Sequence, residues 1–215
     1  MHLKRQKVPK TWPIPRKGNV YVVRPNSKIN SGIPILIILR DMLKIAQNKK
    51  EVKRTIHLRE ILVNGRKITD EKHAVSLFDT VTITPMKKNY RIELNENKKF
   101  SLKEINESEN SKKISKVFSK KILKGKKTQI NFSDGNNLIS DVKCDINDSV
   151  IVNTKEKKAE KCLPMKESAN VLVFEGKHAG EIGTIEKINI EHKMVEINSR
   201  GKKVNVLIKQ IIVTG

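Results

Sequence analysis

Aromatic and acidic side chains are scarce in this sequence. Aromatic residues make up 4% of the 215 residues, and 45 Lys and Arg residues outnumber 23 Asp and Glu residues. The formal net charge of +22 cannot be neutralised within the chain, and self-repulsion at that charge opposes a compact state. We therefore expect a polyanionic partner that supplies negative charge, with nucleic acid as the first candidate.

Long apolar segments are also missing. The longest apolar run extends from Ile33 to Leu39 and is far shorter than the ~20 residues that a membrane-spanning helix needs, so no membrane partner is expected. The basic N-terminus is followed by Trp12, Pro13 and Pro15 rather than by an apolar core segment, a pattern that does not fit a secretory signal. We therefore expect a cytoplasmic location.

Cysteine is nearly absent. Cys144 and Cys162 form no C-x-x-C pair, so a zinc site would have to recruit both of them together with scattered histidines such as His178. Two reduced thiols are the simpler interpretation. Neither a metal nor an organic cofactor is expected.

Residues 1–33 have a composition of their own. They contain eight Lys and Arg residues and no Asp or Glu, and they are rich in Pro, Asn, Ser and Gly. Because few positions could form a core, the segment is interpreted as a basic arm that packs on something other than itself until its partner is bound.

Residues 34–86 show helical patterns and then a hairpin pattern. Apolar residues between Pro34 and Ala46 follow a 3.6-residue spacing, and a second short helix is predicted from Lys50 to Leu58 with a basic flank. Asn64-Gly65 between two strand-like runs favours a tight β-hairpin. These patterns predict an α+β module whose basic helical face and hairpin lie together.

Residues 87–167 are highly charged and are predicted to be rich in β-strands, with the clearest strands at 128–132, 138–142 and 149–152. Residues 112–127 hold eight lysines and no acid, and some of these lysines have helical spacing. The lysine run is either a solvated face or a phosphate contact, and its one-sided charge favours the phosphate contact.

Residues 168–215 are predicted to form five short strands separated by turns, which is typical of a small SH3-like barrel. Upstream, Asp148-Ser149-Val150 resembles Asp79-Thr80-Val81 as an acidic turn residue followed by a short strand. This internal similarity fits two small β-containing domains that end in similar ways.

A glycine-rich loop, with Lys177 and His178 at its tip, precedes one of these strands. Its glycines are Gly176, Gly180 and Gly183, and their spacing matches neither the dinucleotide fingerprint nor the Walker loop, so no nucleotide site is expected. The loop resembles the KOW motif of ribosomal and transcription-elongation proteins. A plain turn that needs positive φ angles would explain the glycines as well, so any function would lie in the neighbouring side chains.

Several motifs occur in an informative order. The pattern from Pro34 to Thr84 contains Leu39-Arg40-Asp41, Val63-Asn64-Gly65 and Phe78-Asp79. It resembles the alpha-L type RNA-binding domain shared by small-subunit ribosomal protein four, several pseudouridine synthases and tyrosyl-tRNA synthetases. His2-Leu3-Lys4-Arg5 and the stretch from Pro9 to Gly18 precede it, and the glycine-rich loop follows it. In this order the chain resembles the archaeal and eukaryotic family of small-subunit ribosomal protein four across nearly its whole length.

The resemblance implies a structural protein that binds small-subunit ribosomal RNA, beside neighbouring small-subunit ribosomal proteins and without a small-molecule substrate. It completes an expected α+β multidomain fold: a basic N-terminal arm (1–33), an alpha-L type RNA-binding domain (34–86), a central β-rich domain (87–167) and a C-terminal KOW SH3-like β-barrel (168–215). Lys and Arg contacts to phosphates provide affinity without reading sequence, and RNA shape provides placement.

The candidate RNA-binding residues are basic, with one aromatic. We predict phosphate contacts by Lys4, Arg5, Lys7, Lys10, Arg16, Lys17, Arg40, Lys44, Lys50, Lys53 and Arg54. Trp12 could stack on a base, a contact worth ~1–3 kcal/mol on aromatic platforms. Alternatively, Trp12 is a hydrophobic anchor that packs on the first domain through Pro13 and Ile14.

Two other classes of protein are weaker interpretations. An RNA-modifying enzyme would need its own catalytic domain, for which residues 90–165 are too few. The carboxylates of that region are Asp134, Asp141, Asp145 and Asp148. They fall in turns and strand flanks, so no catalytic residue is predicted. A transcription factor that binds a polymerase through the KOW-like loop would need an exposed apolar patch, whereas this sequence is basic throughout.

Overall fold

The computed structural model describes residues 2–30, 32–125, 127–140 and 142–215. The chain divides into two compact units, Met1–Ser111 (unit 1) and Lys112–Gly215 (unit 2). The four segment boundaries predicted above stay predictions.

The protein is mostly β-sheet. Strands account for 42% and helices for 12% of the residues, and as far as the structure describes them the larger sheets are open rather than closed into a barrel. The predicted α+β multidomain fold, with an alpha-L type domain and a closed SH3-like barrel, is therefore wrong. The short helices and the strand order explain the error.

Helices in unit 1 are short. Helix α1 (Ile35–Ile37) continues directly into a π-helical segment (Ile38–Met42), and helix α2 covers Lys49–His57. Every residue from 33 to 39 is buried, so the apolar spacing belongs to a fully buried run and not to one face of an amphipathic helix. At Lys44 the backbone is left-handed, with φ 55°, and the predicted longer helix cannot continue there.

Unit 1 contains one five-stranded antiparallel sheet and two strand pairs. Its strands are β1 (Leu3–Lys4), β2 (Tyr21–Val22), β3 (Gly32–Pro34), β4 (Ile61–Val63), β5 (Arg66–Lys67), β6 (Ala74–Ser76), β7 (Thr80–Ile83), β8 (Lys88–Leu94) and β9 (Phe100–Ile105). β1 pairs with β2, β3 pairs with β6, and the others follow the order β5-β4-β7-β8-β9. Alternate residues such as Val63, Val81 and Ile92 are buried, so one face of this sheet supplies core.

The predicted Asn-Gly hairpin is confirmed between β4 and β5. Asn64 and Gly65 have φ angles of 51° and 73°, as the turn requires. The Asn64 side chain also donates to Asp79 Oδ1 at 2.8 Å and accepts from the Thr80 backbone N–H at 3.0 Å. The turn residue thereby ties the hairpin to the start of β7.

In its described residues, unit 2 contains two five-stranded antiparallel sheets. The central sheet has the order β12-β11-β10-β13-β14 and the C-terminal sheet has the order β18-β17-β16-β15-β19. The strands are β10 (Lys112–Ile122), β11 (Thr128–Phe132), β12 (Asn137–Ile139), β13 (Ser149–Asn153), β14 (Lys158–Leu163), β15 (Asn170–Val173), β16 (Ile182–Asn189), β17 (Met194–Ser199), β18 (Lys202–Leu207) and β19 (Ile211–Val213). All five predicted C-terminal strands are present, but in the described residues β18 and β19 remain the two edges of an open sheet.

The first part of the lysine-rich segment, which was noted for helical spacing, is strand β10. Two of its lysines are buried at 4% exposure: Lys113 pairs with Asp134, and Lys116 donates to the backbone carbonyls of Ile208 and Ile211. The Lys116 Nζ lies 2.8 Å from Ile211 O. Ile208 begins the short 3₁₀-helix Ile208–Gln210 and Ile211 begins β19, so Lys116 joins the central sheet to the C-terminal sheet within unit 2.

The segments around Asp79 and Asp148, which are similar in sequence, form turns of the same kind. Each carboxylate is buried and accepts from the backbone N–H three residues earlier: Ser76 N to Asp79 Oδ2 at 2.6 Å, and Asp145 N to Asp148 Oδ2 at 2.7 Å. The residue before each aspartate is left-handed, with φ 62° at Phe78 and 78° at Asn147. Both turns lead directly into a strand of the local sheet.

Both cysteines are free and belong to the central sheet's core region. Burial raises the pKa of Cys162 to about 12, and neighbouring Cys144 and Asp148 add to the rise. Cys162 is therefore a neutral thiol at physiological pH, which disfavours attack on disulfides.

Candidate nucleic-acid interface

The N-terminal arm folds around Arg5. Its guanidinium donates to Asn19 O at 2.7 Å and to Pro15 O at 2.6 Å. Gly18 has φ 141°, and a Cβ there would lie 2.9 Å from Arg5 Nη2. Arg5 therefore shapes residues 15–19, with at least two of its donors used inside the protein.

Replacement of Arg5 by glutamine should loosen this loop. Two lost charge-assisted hydrogen bonds, discounted for exposure, correspond to ~1.4 kcal/mol of local stability, or about a tenfold faster opening. Limited trypsin digestion with mass spectrometry would measure cleavage after Arg16 and Lys17. Lys7→Gln removes an equal charge from an exposed position and serves as the control. Equal cleavage rates in both variants would refute this role of Arg5.

The remaining predicted cations of the arm are exposed. They are Lys4, Lys7, Lys10, Arg16 and Lys17. In the part of the chain that the structure describes, none of them forms an ion pair with a carboxylate. Their charges thus stay available to an external anion, which is the geometry that phosphate contacts require.

Trp12 is buried. Its side chain is 2% exposed, and its indole Nε1 lacks a hydrogen-bond partner among the described residues. The carbonyl of Thr11 accepts from the Phe100 N–H at 2.8 Å, which joins this part of the arm to β9. The burial favours the hydrophobic anchor over the base-stacking platform, and this part of the arm packs on β9 of its own unit.

Arg40 forms a bidentate ion pair with its neighbour. Its Nε and Nη2 donate to the two Asp41 carboxylate oxygens at 3.0 and 2.8 Å, and the hydrogen bond to Asp41 raises the pKa of Arg40. Arg40 and Asp41 line a cavity of about 120 Å³ together with Arg5 and Tyr21. Lys44 is exposed beyond this pair. Arg40 is therefore a partly neutralised cation, whereas Lys44 is not.

Helix α2 presents a basic face. Asn48 caps it by accepting from the N–H groups of Lys50 and Glu51, and the apolar Val52 and Ile56 are buried. Lys53 lies 3.9 Å from the buried Glu71. Lys50 and Arg54, four residues apart on one face, are exposed and without an ion pair in the described residues.

Further cations of unit 1 escaped the sequence-based selection. Arg66 and Lys67 form β5 and are exposed, and Arg59 is exposed at the turn after α2. The Asn-Gly hairpin motif was the signal that could have identified Arg66 and Lys67, because both directly follow its turn.

The glycine-rich loop lies in unit 2. Gly176 and Gly180 have φ angles of 93° and 89°, so the turn itself needs these glycines. Gly183 serves another purpose, since a Cβ there would lie 2.3 Å from Asn198 O on the neighbouring strand. Lys177 is exposed, and His178 Nδ1 lies 3.0 Å from Glu181 Oε1. The loop and the arm thus belong to different units, and a functional role of the side chains beside the glycines, Lys177 and His178, stays a prediction.

The carboxylates considered for catalysis have structural surroundings. Asp134 pairs with Lys113, Asp148 accepts backbone N–H groups, and Asp145 is exposed beside Lys120. Asp141 lies outside the described residues. Across residues 2–30, 32–125, 127–140 and 142–215, no group of His, Cys, Asp and Glu could hold a metal ion, and no helix is long and apolar enough to span a membrane.

Comparisons with known proteins point to one family. Residues 86–159 match the family model described as Ribosomal family S4e, and residues 1–27 match the RS4NT (NUC023) domain. The chain is 37% identical over 192 residues to the small ribosomal subunit protein eS4 of Methanocella arvoryzae, covering 88% of this chain and 81% of that protein. The protein of the same name from Archaeoglobus fulgidus shows the same identity and coverage.

A solved structure shows that the fold is shared. The crystal structure of the 30S ribosomal protein S4e from Thermoplasma acidophilum matches with a TM-score of 0.73 at 24% identity, covering 86% of this chain and 95% of that chain. The matched relatives bear names of ribosomal proteins rather than of enzymes.

Proposed function

Because the chain belongs to the S4e family of ribosomal proteins, we propose that it binds small-subunit ribosomal RNA through its arm and the basic face of α2. Family membership confirms the resemblance seen in the sequence motifs and makes the protein a structural constituent of the small ribosomal subunit. A cytoplasmic ribosome is then its location, with neighbouring small-subunit proteins as further partners.

The observation that carries this proposal is that three lysines of the arm form no ion pair with a carboxylate of the described residues. Lys4, Lys7 and Lys10 are exposed in a segment without a single acidic residue. A protein that neutralises phosphates with such side chains releases counterions, and its affinity then falls steeply with salt. Lys50 and Arg54 extend the same chemistry to α2.

A binding experiment with two equally charged variants tests the proposal. The arm variant is K4Q/K7Q/K10Q, and the control K155Q/K161Q/K166Q removes three exposed lysines of unit 2. Each lost phosphate contact should reduce the magnitude of the slope of log affinity against log salt by ~0.7–0.9. For the arm variant, the magnitude of this slope should therefore fall by ~2–3, and the affinity should fall about tenfold or more. The experiment measures binding of the full-length chain to small-subunit ribosomal RNA.

Equal slopes for the wild type, the arm variant and the control would contradict binding through the arm. Sedimentation of native lysate through a sucrose gradient gives an independent check. Co-migration with small subunits until strong salt releases the chain is expected. Recovery only in light fractions at low and high salt would overturn the proposal.

A further inference from the structure

The hairpin formed by β10 and β11 ends in a strongly basic tip. The tip is closed by a hydrogen bond from Leu123 N to Lys127 O at 2.8 Å. Residues 120–131 include five lysines and no acidic residue. An acid-free hairpin end of this kind concentrates positive charge in a small volume.

The fold separates the lysines of this hairpin into two groups. Those near its base have partners: Lys112 with Glu160 at 3.7 Å, Lys113 with Asp134, Lys116 with two backbone carbonyls and Lys120 with Asp145 at 3.1 Å. Lys121, Lys124 and Lys127 are exposed, and no ion pair joins them to a carboxylate of the described residues. Among the described lysines of the hairpin, this second group, the tip lysines, is the one whose charges are free for an external anion.

Next to the tip, the two strands of the hairpin carry neutral polar side chains. Pairing places Lys121 opposite Gln129, and Ser119 opposite Asn131. The amide of Asn131 donates to Ser119 Oγ at 3.0 Å, and that of Gln129 donates to Asn131 Oδ1 at 2.7 Å. Side-chain amides and hydroxyls such as these bind the sugar hydroxyls and base edges of nucleic acids.

Exposed apolar side chains flank the same strand. Phe118, at the irregular position between the pairs of Val117 and Ser119, is 68% exposed, and Ile122 is 77% exposed. An aromatic ring beside a basic ribbon is typical of a surface that stacks on unpaired bases. The combination of tip lysines, amide groups and an exposed ring favours RNA over an acidic protein.

We propose that the β10–β11 hairpin is a second RNA contact, in which the tip lysines bind backbone phosphates and Phe118 stacks on an exposed base. The inference rests on the proposed function, but it places a contact in unit 2 that the arm and α2 do not provide. A two-stranded ribbon with an open polar face suits the wide, shallow minor groove of an RNA helix next to a loop or bulge.

The test compares K121Q/K124Q/K127Q with the same unit 2 control, K155Q/K161Q/K166Q, in binding of the full-length chain to small-subunit ribosomal RNA. For the tip variant, the magnitude of the slope of log affinity against log salt should fall by ~2–3, whereas the control should keep the slope of the wild type. Phe118→Ala should weaken binding by about 5- to 100-fold without a change in slope, since stacking on a base carries no charge. Circular dichroism checks that the variants remain folded.

The outcomes separate this inference from the proposed function. A tip variant that behaves like the control, while K4Q/K7Q/K10Q loses slope, would overturn the hairpin contact and leave the arm contact standing. Loss of slope in the tip variant alone would support the hairpin and contradict the arm. If the tip variant keeps its RNA affinity but loses binding to poly-glutamate, the partner is an acidic protein and the inference fails.

Discussion

The contribution of Lys116 to the free energy of unfolding should rise with pH between about 8 and 10.5. Burial lowers the pKa of this lysine to about 8 from its ordinary value of 10.5. Lys116 is 4% exposed, and its ammonium group lies between the two sheets of unit 2, where it donates to the backbone carbonyls of Ile208 and Ile211. Keeping the charge there costs free energy that a carboxylate partner would have offset.

The sign follows from proton binding. Between the two pKa values the unfolded chain holds a proton on Lys116 that the folded chain has released, so raising the pH favours the folded state. The destabilisation is fully present below pH 8 and is relieved as the pH approaches 10.5. At ~1.4 kcal/mol per pKa unit the full effect is about 3 kcal/mol.

Urea denaturation of the wild type and Lys116→Met, followed by circular dichroism across this pH range, measures the effect. Other groups titrate in the same range, so the quantity of interest is the difference in unfolding free energy, wild type minus variant. That difference should become more positive by up to about 3 kcal/mol toward high pH. A difference that does not vary with pH would show that Lys116 keeps an ordinary pKa.

Replacement of Gly183 by alanine should destabilise the C-terminal sheet strongly. A Cβ at this position would lie 2.3 Å from Asn198 O and 2.9 Å from Asn198 C, which are backbone atoms and cannot rotate away. Gly183 pairs with Val171 on β15, and the next residue, Thr184, pairs with Asn198 on β17, so β16 is held on both sides. The methyl group must push β16 and β17 apart, at a cost near the upper end of ~1–3 kcal/mol.

Gly201→Asn is the matched control for this substitution. A Cβ at Gly201 meets nothing within 4 Å, and its φ of 78° is one that asparagine tolerates, so a loss below ~1 kcal/mol is expected. Urea denaturation gives both values, and hydrogen exchange at Ile185 and Val195 localises the change to β16 and β17. Equal losses for the two variants would mean that the close approach at Gly183 is relieved by a shift of the strands.

Local patterns were good predictors of the strands and turns. The Asn64-Gly65 hairpin, strand β11 and the five C-terminal strands were all visible in the sequence, because their turns depend on residues within a few positions of each other. The segment from Ile33 to Leu39 was harder to interpret. Its apolar spacing fitted a helical face, but the whole run is buried, and periodicity cannot distinguish the two when every neighbour is apolar.

The candidate site was only partly visible from the sequence. Counting charges located the basic arm, but it could not show that Arg5 holds residues 15–19 or that Trp12 is buried. In the same way, the eight lysines in residues 112–127 were interpreted together, either as a solvated face or as a phosphate contact. Their separation into buried and exposed lysines depends on partners such as Asp134 and Ile208, which are distant in the sequence.

The amino-acid sequence alone determines the net charge, the turns and the family, and with them the expectation of an RNA partner. The tertiary structure decided which cations remain free for that partner, and that the larger sheets stay open. Composition and turn chemistry are properties of single residues and close neighbours, whereas pairing of Lys116 with the 3₁₀-helix at Ile208 requires two distant segments to meet. Such contacts depend on the packing of the whole unit, so a local sequence pattern cannot predict them.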